Sequence, residues 1–313
     1  MCIRDRFEVS TALAFMYFQR QHVDYLILEV GLGGLIDSTN VVQPVATVIT
    51  NVAMDHMDYL GNTIEEIATI KAGIIKPGIP LVTSATGKAL AIIKDVCAEK
   101  KAPLMIAGVD FCWQEQDWNV EQQRILITGL LDAYTVDILL KGRHQQINAA
   151  LAVATAEILQ QSGAFLTKDM ISQGVLHTIW PARMEIVSQN PLVMIDGAHN
   201  VDGAIALGQA LDEYFPNKDI IMVLGMLGDK ERAKVVKELA PRAKAVIITK
   251  PNNARAGDWQ SMAQEALHFI PQVETIENIR EAVQRAMDMA GTNDMVCITG
   301  SLYMVAEARE SFL

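Results

Sequence analysis

The stretch "VATVITNVAMDHMDYLGNTIEEIATIKAGIIKPG", residues 45–78, decides the class of fold because it holds a strand pattern and a helix pattern in direct succession. Its first six residues are apolar or β-branched, which is typical of a buried strand. Further along, Thr63 precedes Glu66 by three residues, which is the pattern of a capping box, and a proline–glycine pair ends the helix. A buried strand followed by such a helix predicts an α/β fold.

The same alternation continues along the chain. The apolar runs interpreted as further strands are "YLILEV", "PLVMID", "DIIMVLG", "KAVIIT" and "DMVCITG", and amphipathic segments such as "AIALGQALDEYF" and "RAKVVKELA" lie between several of them. This alternation predicts parallel sheets covered by helices on both faces. Residues 111–140 differ, because "RILITG" and "YTVDILL" alternate around glycine and aspartate and indicate antiparallel strands or a hairpin.

The length of the chain and one proline-rich segment predict two domains. A chain of 313 residues, half of them hydrophobic, is long enough for about two domains. In "WPARMEIVSQNP", a Trp-Pro and an Asn-Pro pair interrupt a helical stretch and precede a new strand. We therefore predict an α/β protein with two doubly wound domains, residues 1–183 and a smaller domain of residues 184–313.

Charge and composition exclude several classes of protein. The net charge of −11 argues against a nucleic-acid-binding surface, and an anionic ligand would need a locally positive site. No apolar run approaches the roughly 20 residues that span a bilayer. The four cysteines are scattered without zinc spacing, as in reduced cytosolic proteins. The sequence predicts a cytoplasmic, monomeric enzyme or binding protein without nucleic-acid or membrane partners.

Polar side chains follow each of the strong strand patterns. In an open parallel sheet, ligands bind beyond the carboxyl ends of the strands. Polar loops are common, so one such strand end would carry no weight, whereas five in succession indicate a ligand site. The residues concerned are Glu29, Asn51, Asp55, His56, Asp196, His199, Asn200, Asp229, Lys230 and Ser301.

Two features have alternative interpretations. "EVGLGG" resembles a dinucleotide fingerprint, but the third glycine is replaced by Ile36, so the glycines are better explained by close approach of the backbone to a ligand or ion. Lys71 either neutralises the end of its helix, where it could pair with Glu65 or Glu66, or is a reactive lysine with a lowered pKa. Periodicity alone favours the first role.

Seven segments together resemble the folylpolyglutamate synthase/dihydrofolate synthase family of the Mur ligase superfamily. In order, they are "LEVGLGGLIDSTNVV", "ITNVAMDHMDYLGNTIEEIATIKAGIIKPG", "GRHQQINAALA", "WPARMEIV", "DGAHN", "GMLGDKE" and "ITGSLYMVAEAR". The resemblance implies a Mur-ligase ATP-binding domain over residues 1–183 and a Rossmann-like, glutamate-binding domain over residues 184–313. It also implies a ligase in which ATP converts the carboxylate of folate or dihydropteroate to an acyl phosphate, which the amine of L-glutamate then attacks.

The resemblance also assigns roles in the first domain. Glu29 and His56 would hold Mg²⁺, although imidazole is an unusual ligand for so hard an ion. Lys71 matches the lysine that this superfamily carbamylates, so the resemblance reverses the preference stated above. Asn148 matches the residue that reads the adenine edge, where an amide can both donate and accept.

Further roles are implied at the domain boundary, where Arg183 lies, and in the second domain. Arg183 would reach the ATP phosphates and stabilise charge during catalysis. Asp196 and His199 would face the nucleotide and the reacting centre. Ser301 would bind the glutamate carboxylate at a helix N-terminus, and Asn200 would bind substrate unless it only forms a turn.

The sequence departs from the family pattern in several places. No phosphate-binding loop of the GxxxxGK[ST] type occurs, and "MCIRDR" does not continue the family pattern. We therefore expect an N-terminally truncated ligase, without its first strand and phosphate loop, that binds ATP poorly and does not turn over. Ala182 replaces a glycine before Arg183, and Leu35 replaces an arginine after "GLGG". The alternatives are a cell-wall Mur-type ligase and an inactive nucleotide-binding fragment.

Overall fold

The protein is described by a computed structural model over residues 6–228 and 230–313. The chain forms two compact units. Of the described residues, the first unit takes those up to Gln114 together with Ile127–Tyr134 and Ile147–Ile171, and the second takes the remainder. The domain boundary that the sequence predicts after Arg183 stays a prediction.

Helices make up a large part of both units. The α-helices are α1 (Arg6–Gln21), α2 (Met57–Leu60), α3 (Ile64–Lys71), α4 (Gly87–Lys100), α5 (Arg143–Gln161), α6 (Lys168–Leu176), α7 (Val201–Tyr214), α8 (Arg232–Leu239), α9 (Ser261–Leu267), α10 (Ile279–Met289) and α11 (Leu302–Glu310). None of the helices in the described ranges is long and apolar enough to cross a membrane.

The strands form three sheets. They are β1 (Thr47–Ile49), β2 (Leu81–Thr83), β3 (Leu104–Ile106), β4 (Cys112–Trp118), β5 (Gln123–Thr128), β6 (Ala133–Ile138), β7 (Glu185–Gln189), β8 (Leu192–Ile195), β9 (Asp219–Leu224), β10 (Ala243–Ile248), β11 (Val273–Thr275) and β12 (Asp294–Thr299). The sheet orders are β1-β2-β3, β4-β5-β6 and β11-β10-β9-β12-β8-β7.

The first unit contains the short parallel sheet β1-β2-β3. The predicted capping box is confirmed at the start of α3, where the Thr63 hydroxyl accepts a hydrogen bond from the Glu66 N–H at 3.2 Å. The Glu66 carboxylate reaches back to the Asn62 N–H at 2.7 Å. Side chains of α3 and α4, among them Ile67 and Ile93, are fully buried in the core beside this sheet.

The prediction of a strand at "YLILEV" is wrong. Residues 23–30 have no regular secondary structure, and the side chain of Ile27 is 95% exposed. A strand requires a hydrogen-bonding partner, and no strand of the described residues pairs with this segment. An apolar, β-branched run is therefore not sufficient for a strand.

The predicted hairpin region forms the three-stranded sheet β4-β5-β6. Consecutive strands are joined by tight turns, in which the Asn119 N–H donates to Gln122 O and the Gly129 N–H donates to Asp132 O. Connections this short join antiparallel strands, as the sequence predicts for residues 111–140.

The second unit contains a six-stranded sheet with helices on both faces. The sheet is parallel except for β7, which pairs antiparallel with β8 at its edge. Alternate strand residues face opposite sides: Met194 and Met222 pack in the core with α7, α8 and α9, whereas Val193 and Ile221 pack with α10 and α11. This is the doubly wound arrangement predicted from the continuous apolar strands.

Candidate active site

The "GLGG" loop packs closely against the C-terminal end of α3. Gly33 has a φ of +72°, and a Cβ at this position would lie 2.8 Å from Ile70 Cγ2. A Cβ at Gly34 would lie 3.0 Å from the carbonyl oxygen of Lys71, and the Leu35 N–H donates to Ile70 O at 3.0 Å. The described contacts of these glycines are therefore with the protein's own helix, a function of the loop that the sequence analysis did not identify.

Asp37 organises the same loop. Its carboxylate accepts hydrogen bonds from the Leu32 N–H at 2.9 Å and from the Thr39 N–H and hydroxyl at 2.9 and 2.6 Å. Burial raises the pKa of Asp37, but these hydrogen bonds outweigh burial and hold the pKa below its usual value. The order Asp-Ser-Thr is a capping pattern, and it is the sequence signal from which Asp37 could have been predicted.

Lys71 is the last residue of α3 and is half-buried. Burial lowers the pKa of its ammonium group, and the charge of Asp55 partly opposes this effect. Neither of the expected helix partners is directed at it, because Glu65 pairs with Lys88 at 2.5 Å and Glu66 binds the Asn62 N–H. The environment of Lys71 therefore favours a neutral amine, whereas neutralising the helix end would require a charged ammonium group.

His56 lies at the N-terminus of α2 with a left-handed φ of +52°. Its Nε2 atom is 3.9 Å from Asp55 Oδ2, and Asp55 is also the charge that acts on Lys71. The first unit thus brings His56, Asp55 and Lys71 together after β1, as the polar strand-end pattern predicts.

The structure does not bring Glu29 into this group by any described contact. Glu29 is exposed in the irregular segment before the "GLGG" loop. Within the described ranges, its carboxylate has no hydrogen-bond or ion-pair partner. The described residues also contain no cluster of three His, Cys, Asp or Glu side chains that could hold a metal ion.

The side chains of Glu29, Asp55 and His56 could supply only a minority of the ligands of a Mg²⁺ ion. Mg²⁺ prefers oxygen and usually keeps several waters while binding one or two carboxylates and substrate phosphates. The carboxylates of Glu29 and Asp55 are suitable donors, and His56 is a weaker one. A site of this kind would need a bound nucleotide to complete the coordination.

In the second unit, Arg183 lies on a strained turn. The residues on both sides of it, Ala182 and Met184, have left-handed φ angles of +59° and +45°. A non-glycine residue in this conformation costs roughly 1–2 kcal/mol. A glycine at position 182, which the resemblance described above implies, would not have this cost.

Hydrogen bonds to the Glu185 carboxylate and from the Gly197 N–H stabilise this turn. The Ala182 N–H donates to Glu185 Oε2 at 2.8 Å, and the Gly197 N–H donates to Ala182 O at 2.8 Å. Glu185 also pairs with Arg309 of α11 at 2.9 Å, which lowers the pKa of its carboxyl group. Glu185 and Arg309 are not among the predicted site residues, although they lie in the segments "WPARMEIV" and "ITGSLYMVAEAR".

Asp196 directly follows β8 and is almost completely buried. Its carboxylate accepts hydrogen bonds from the Met184 N–H at 3.0 Å and the Ala198 N–H at 2.8 Å. Burial nevertheless raises the pKa of Asp196, although these bonds and the charges of Arg183 and His199 act in the opposite direction. The carboxylate thus connects the Arg183 turn to the "DGAHN" loop.

Two histidines complete this group. The Nδ1 atom of His199 is 2.9 Å from the carbonyl oxygen of Gly197, so Nδ1 carries the donated proton and Nε2 is the acceptor nitrogen of the neutral ring. Burial lowers the pKa of His144, and the charge of Arg183 lowers it further. The second unit therefore brings Arg183, Asp196, His199 and His144 together; the sequence analysis did not select His144, although it belongs to "GRHQQIN".

Asn200 and Ser301 both precede helices. The Asn200 side chain accepts a hydrogen bond from the Gly203 N–H at 2.8 Å and caps α7, which is the turn-forming role considered above. Ser301 is buried at the N-cap position of α11, where its side chain makes no capping hydrogen bond. Asn148 is exposed on α5 and belongs to the first unit, and Asp229 lies outside the described residues.

Comparisons with known proteins identify the family. The family described as "Mur ligase middle domain" matches residues 5–156, and the one described as "Mur ligase, glutamate ligase domain" matches residues 182–302. The dihydrofolate synthase/folylpolyglutamate synthase of Bacillus subtilis is 37% identical over 97% of this chain and 71% of its own length. The chain belongs to the folylpolyglutamate synthase/dihydrofolate synthase family.

Other members of the folylpolyglutamate synthase/dihydrofolate synthase family are similar to this chain in sequence and in structure. The folylpolyglutamate synthase of Lacticaseibacillus casei is 36% identical over 98% of this chain and 71% of its own length. The crystal structure of Mycobacterium tuberculosis folylpolyglutamate synthase complexed with ADP and AMPPCP matches with a TM-score of 0.92 at 33% identity, covering 99% of this chain and 73% of that one. The expected α/β fold with a Mur-ligase middle domain and C-terminal domain is confirmed.

Proposed function

We propose that the protein is an ATP-dependent ligase that joins L-glutamate to folate, to dihydropteroate or to both. The observation that supports this most directly is Arg183, which lies on the turn before β7 beside the buried carboxylate of Asp196 and the imidazole of His199. A guanidinium is well suited to a phosphate because it can donate two parallel hydrogen bonds. ADP and AMPPCP are bound by the Mycobacterium tuberculosis relative.

The proposed reaction has two steps. A carboxylate oxygen of the acid attacks the γ-phosphorus of ATP, the bond to the β-phosphate breaks, and an acyl phosphate and ADP form. The amine of L-glutamate then attacks the acyl carbon, phosphate leaves, and the amine proton passes to a base. Such chemistry depends mainly on positioning and on cations that offset the negative charge of the phosphates.

In this proposal, the second unit binds the nucleotide phosphates and glutamate. Arg183 donates to the transferring phosphoryl group, and Asp196 holds the turn that carries Arg183. His199 contributes its imidazole at the reacting centre, where it lies beside Asp196 and Arg183. Ser301 and Asn200, at the N-termini of α11 and α7, bind the glutamate carboxylate and its neighbouring atoms, because helix N-termini favour anions.

The first unit supplies the remaining groups. Asn148 reads the adenine edge through its amide. Glu29 and His56 would contribute to a Mg²⁺ site, and the ion supplies charge neutralisation when it is bound. Lys71 reacts as a neutral amine with carbon dioxide to give a carbamate and a proton, and the carbamate oxygens orient water or metal ligands.

The proposal also covers the cellular location and the oligomeric state of the protein. We propose that it acts as a monomer in the cytoplasm, where ATP and small-molecule substrates are available. The acidic composition and the absence of an apolar run of about 20 residues support this part.

The function is tested by measuring ADP release with one acid and one amino acid supplied at a time. The assay is run on the chain and on a fusion in which a segment with a GxxxxGK[ST] loop precedes Phe7. We expect the fusion to release ADP only when L-glutamate is combined with a folate or dihydropteroate, and the product to be heavier by one glutamyl residue. A cell-wall peptide precursor that supports equal ADP release would overturn the proposal.

A pair of arginine variants tests the role of Arg183 in the same fusion. Arg183→Met is expected to lower the rate about 100-fold or more, because one donor to the developing negative charge is lost. Arg280→Met is the matched control, because Arg280 is exposed on α10 and pairs only loosely with Glu310 at 3.5 Å. Equal rates for the two variants would contradict the role assigned to Arg183.

A further inference from the structure

A groove of about 680 Å³ runs along the free edge of the six-stranded sheet. All of its lining residues belong to the second unit. Along one side lie residues of the edge strand β7, from Glu185 to Gln189, a span of about 13 Å at 3.3 Å per residue. A volume of this size is sufficient for a drug-sized ligand.

The two ends of the groove lie at opposite ends of the sheet. Arg183 precedes β7, whose residue Glu185 pairs with Ile195 at the carboxyl end of β8. Lys218 directly precedes β9, whose first residue lies at the amino end of the sheet. The groove therefore extends from the Arg183 turn away from the residues proposed to bind the nucleotide.

The walls of the groove are mainly apolar and partly aromatic. Trp180, Tyr214 and Phe215 line it together with aliphatic side chains such as Leu139 and Ile186. The side chain of Trp180 is 56% exposed, although an indole ring normally favours burial. A flat, apolar ligand body would cover this ring and contact the aromatic walls.

Three cations line the groove, which is unusual in a chain with a net charge of −11. They are Lys141, Arg183 and Lys218, and none of them forms an ion pair with a residue in the described ranges. Burial lowers the pKa of Lys141, and only the charge of Glu121 opposes this. An ammonium group that has lost water without gaining a close counter-ion would be stabilised by an anionic ligand.

Two of the carboxylates near the groove are already paired with cations that do not line it. Glu185 is already paired with Arg309, and Asp294, whose pKa the charge of Lys218 helps to lower, is already paired with Lys244. Glu121 is the remaining carboxylate of the lining. The groove is therefore locally positive as well as apolar.

We propose that this groove binds an aromatic carboxylic acid, with its ring against Trp180 and Tyr214 and its anionic group between Lys141 and Lys218. This site is separate from the proposed ligase function and does not require it. The charge of the lining favours such a ligand over a neutral peptide added to the edge of β7, which is the other occupant that the shape would admit.

Two fluorescent probes that differ by one anionic group test the proposal. The anionic probe is 8-anilinonaphthalene-1-sulfonate, in which the sulfonate stands in for a carboxylate, and the neutral probe is N-phenyl-1-naphthylamine. We expect the double variant Lys141→Met/Lys218→Met to bind the anionic probe about tenfold more weakly or worse, because each lost contact is worth on the order of 1 kcal/mol. Its affinity for the neutral probe should change less than about twofold, since that probe has no charge for the lysines to attract.

The matched control is Lys237→Met, which removes an exposed lysine of α8 outside the groove. It should leave both affinities unchanged. Equal binding of the anionic probe by the parent and the double variant would overturn the proposal, as would an equal loss with Lys237→Met. Displacement of the anionic probe by a neutral extended peptide, with no effect of the double variant, would assign the groove to strand addition. No nucleotide is present, so these outcomes do not depend on the ligase function.

Discussion

At the scale of single residues, the environment of Lys71 bears on its proposed carbamylation. A lysine must be neutral to react with carbon dioxide, and burial at the end of α3 favours the neutral amine. The glycines of the "GLGG" loop contribute, because only residues without a Cβ allow the loop to lie against Ile70 and the carbonyl of Lys71. Substitution of Gly33 or Gly34 would therefore disturb Lys71 indirectly.

The proposed carbamylation of Lys71 can be tested by ¹³C NMR under a constant pressure of ¹³C-labelled carbon dioxide. The folded-state pKa of Lys71 lies below that of an exposed lysine. As the pH is raised, the carbamate signal of Lys71 should therefore appear at a lower pH than the carbamate signals of exposed lysines. Lys71→Gln should remove this signal, whereas Lys237→Gln, at an exposed site, should leave it in place. A carbamate spectrum unchanged by Lys71→Gln would refute the modification.

The same pKa shift affects stability in a defined direction. The unfolded chain keeps the Lys71 proton up to the ordinary lysine pKa near 10.4, whereas the folded chain releases it at lower pH. Between those two values the unfolded state binds more protons, so the contribution of Lys71 to folding stability rises with pH.

At the scale of elements, one buried carboxylate connects α5 to the β5–β6 turn. Glu157 is fully buried and accepts hydrogen bonds from the N–H groups of Leu131 and Asp132, at 3.2 and 2.9 Å, and from that of Leu130. It also accepts one from the Tyr134 hydroxyl at 3.0 Å, and burial together with this carboxylate raises the pKa of Tyr134. Sequence patterns did not indicate this contact, because its partners are separated by 23 to 27 residues.

Glu157→Gln is expected to lower the free energy of unfolding by about 2–3 kcal/mol, because an amide group would face N–H donors that it cannot satisfy. Tyr134→Phe is the matched variant: it removes one hydroxyl and should cost only about 1 kcal/mol. Urea unfolding followed by circular dichroism measures both. A loss below about 0.5 kcal/mol for Glu157→Gln would show that the turn does not depend on this carboxylate.

At the scale of the whole molecule, an apolar segment forms a strand only where a neighbouring strand can pair with it. Strand β12 pairs with β8 and β9 and is buried along its whole length. Residues 23–30 have a comparably apolar sequence but no partner strand within the described ranges, and much of their apolar surface is exposed. Composition alone does not distinguish the two segments.

Hydrogen exchange should reveal this difference directly. Amides of residues 294–299 are expected to exchange slowly, because they open only when the second unit unfolds. Amides of residues 23–30 should exchange within seconds to minutes, since no backbone hydrogen bond to another described residue protects them, and those of β2 provide an internal comparison in the first unit. Equal protection of residues 23–30 and β12 would mean that the first segment forms a paired strand in solution.

The sequence by itself determined the local elements and the family. Apolar runs predicted β9, β10 and β12, the Thr63 capping pattern predicted the start of α3, and ordered motifs identified a Mur-type ligase of the folate branch. These signals are local because a capping hydrogen bond or an amphipathic face involves residues only a few positions apart.

The tertiary structure decided which residues meet. The ion pair of Glu185 with Arg309 joins positions 124 residues apart, the turn at Arg183 depends on Asp196, and Glu157 holds a turn from another helix. It also decided that residues 23–30 form no strand. The physical reason is that pairing, burial and charge depend on neighbours in space, and a one-dimensional pattern specifies those neighbours only when the whole chain has folded.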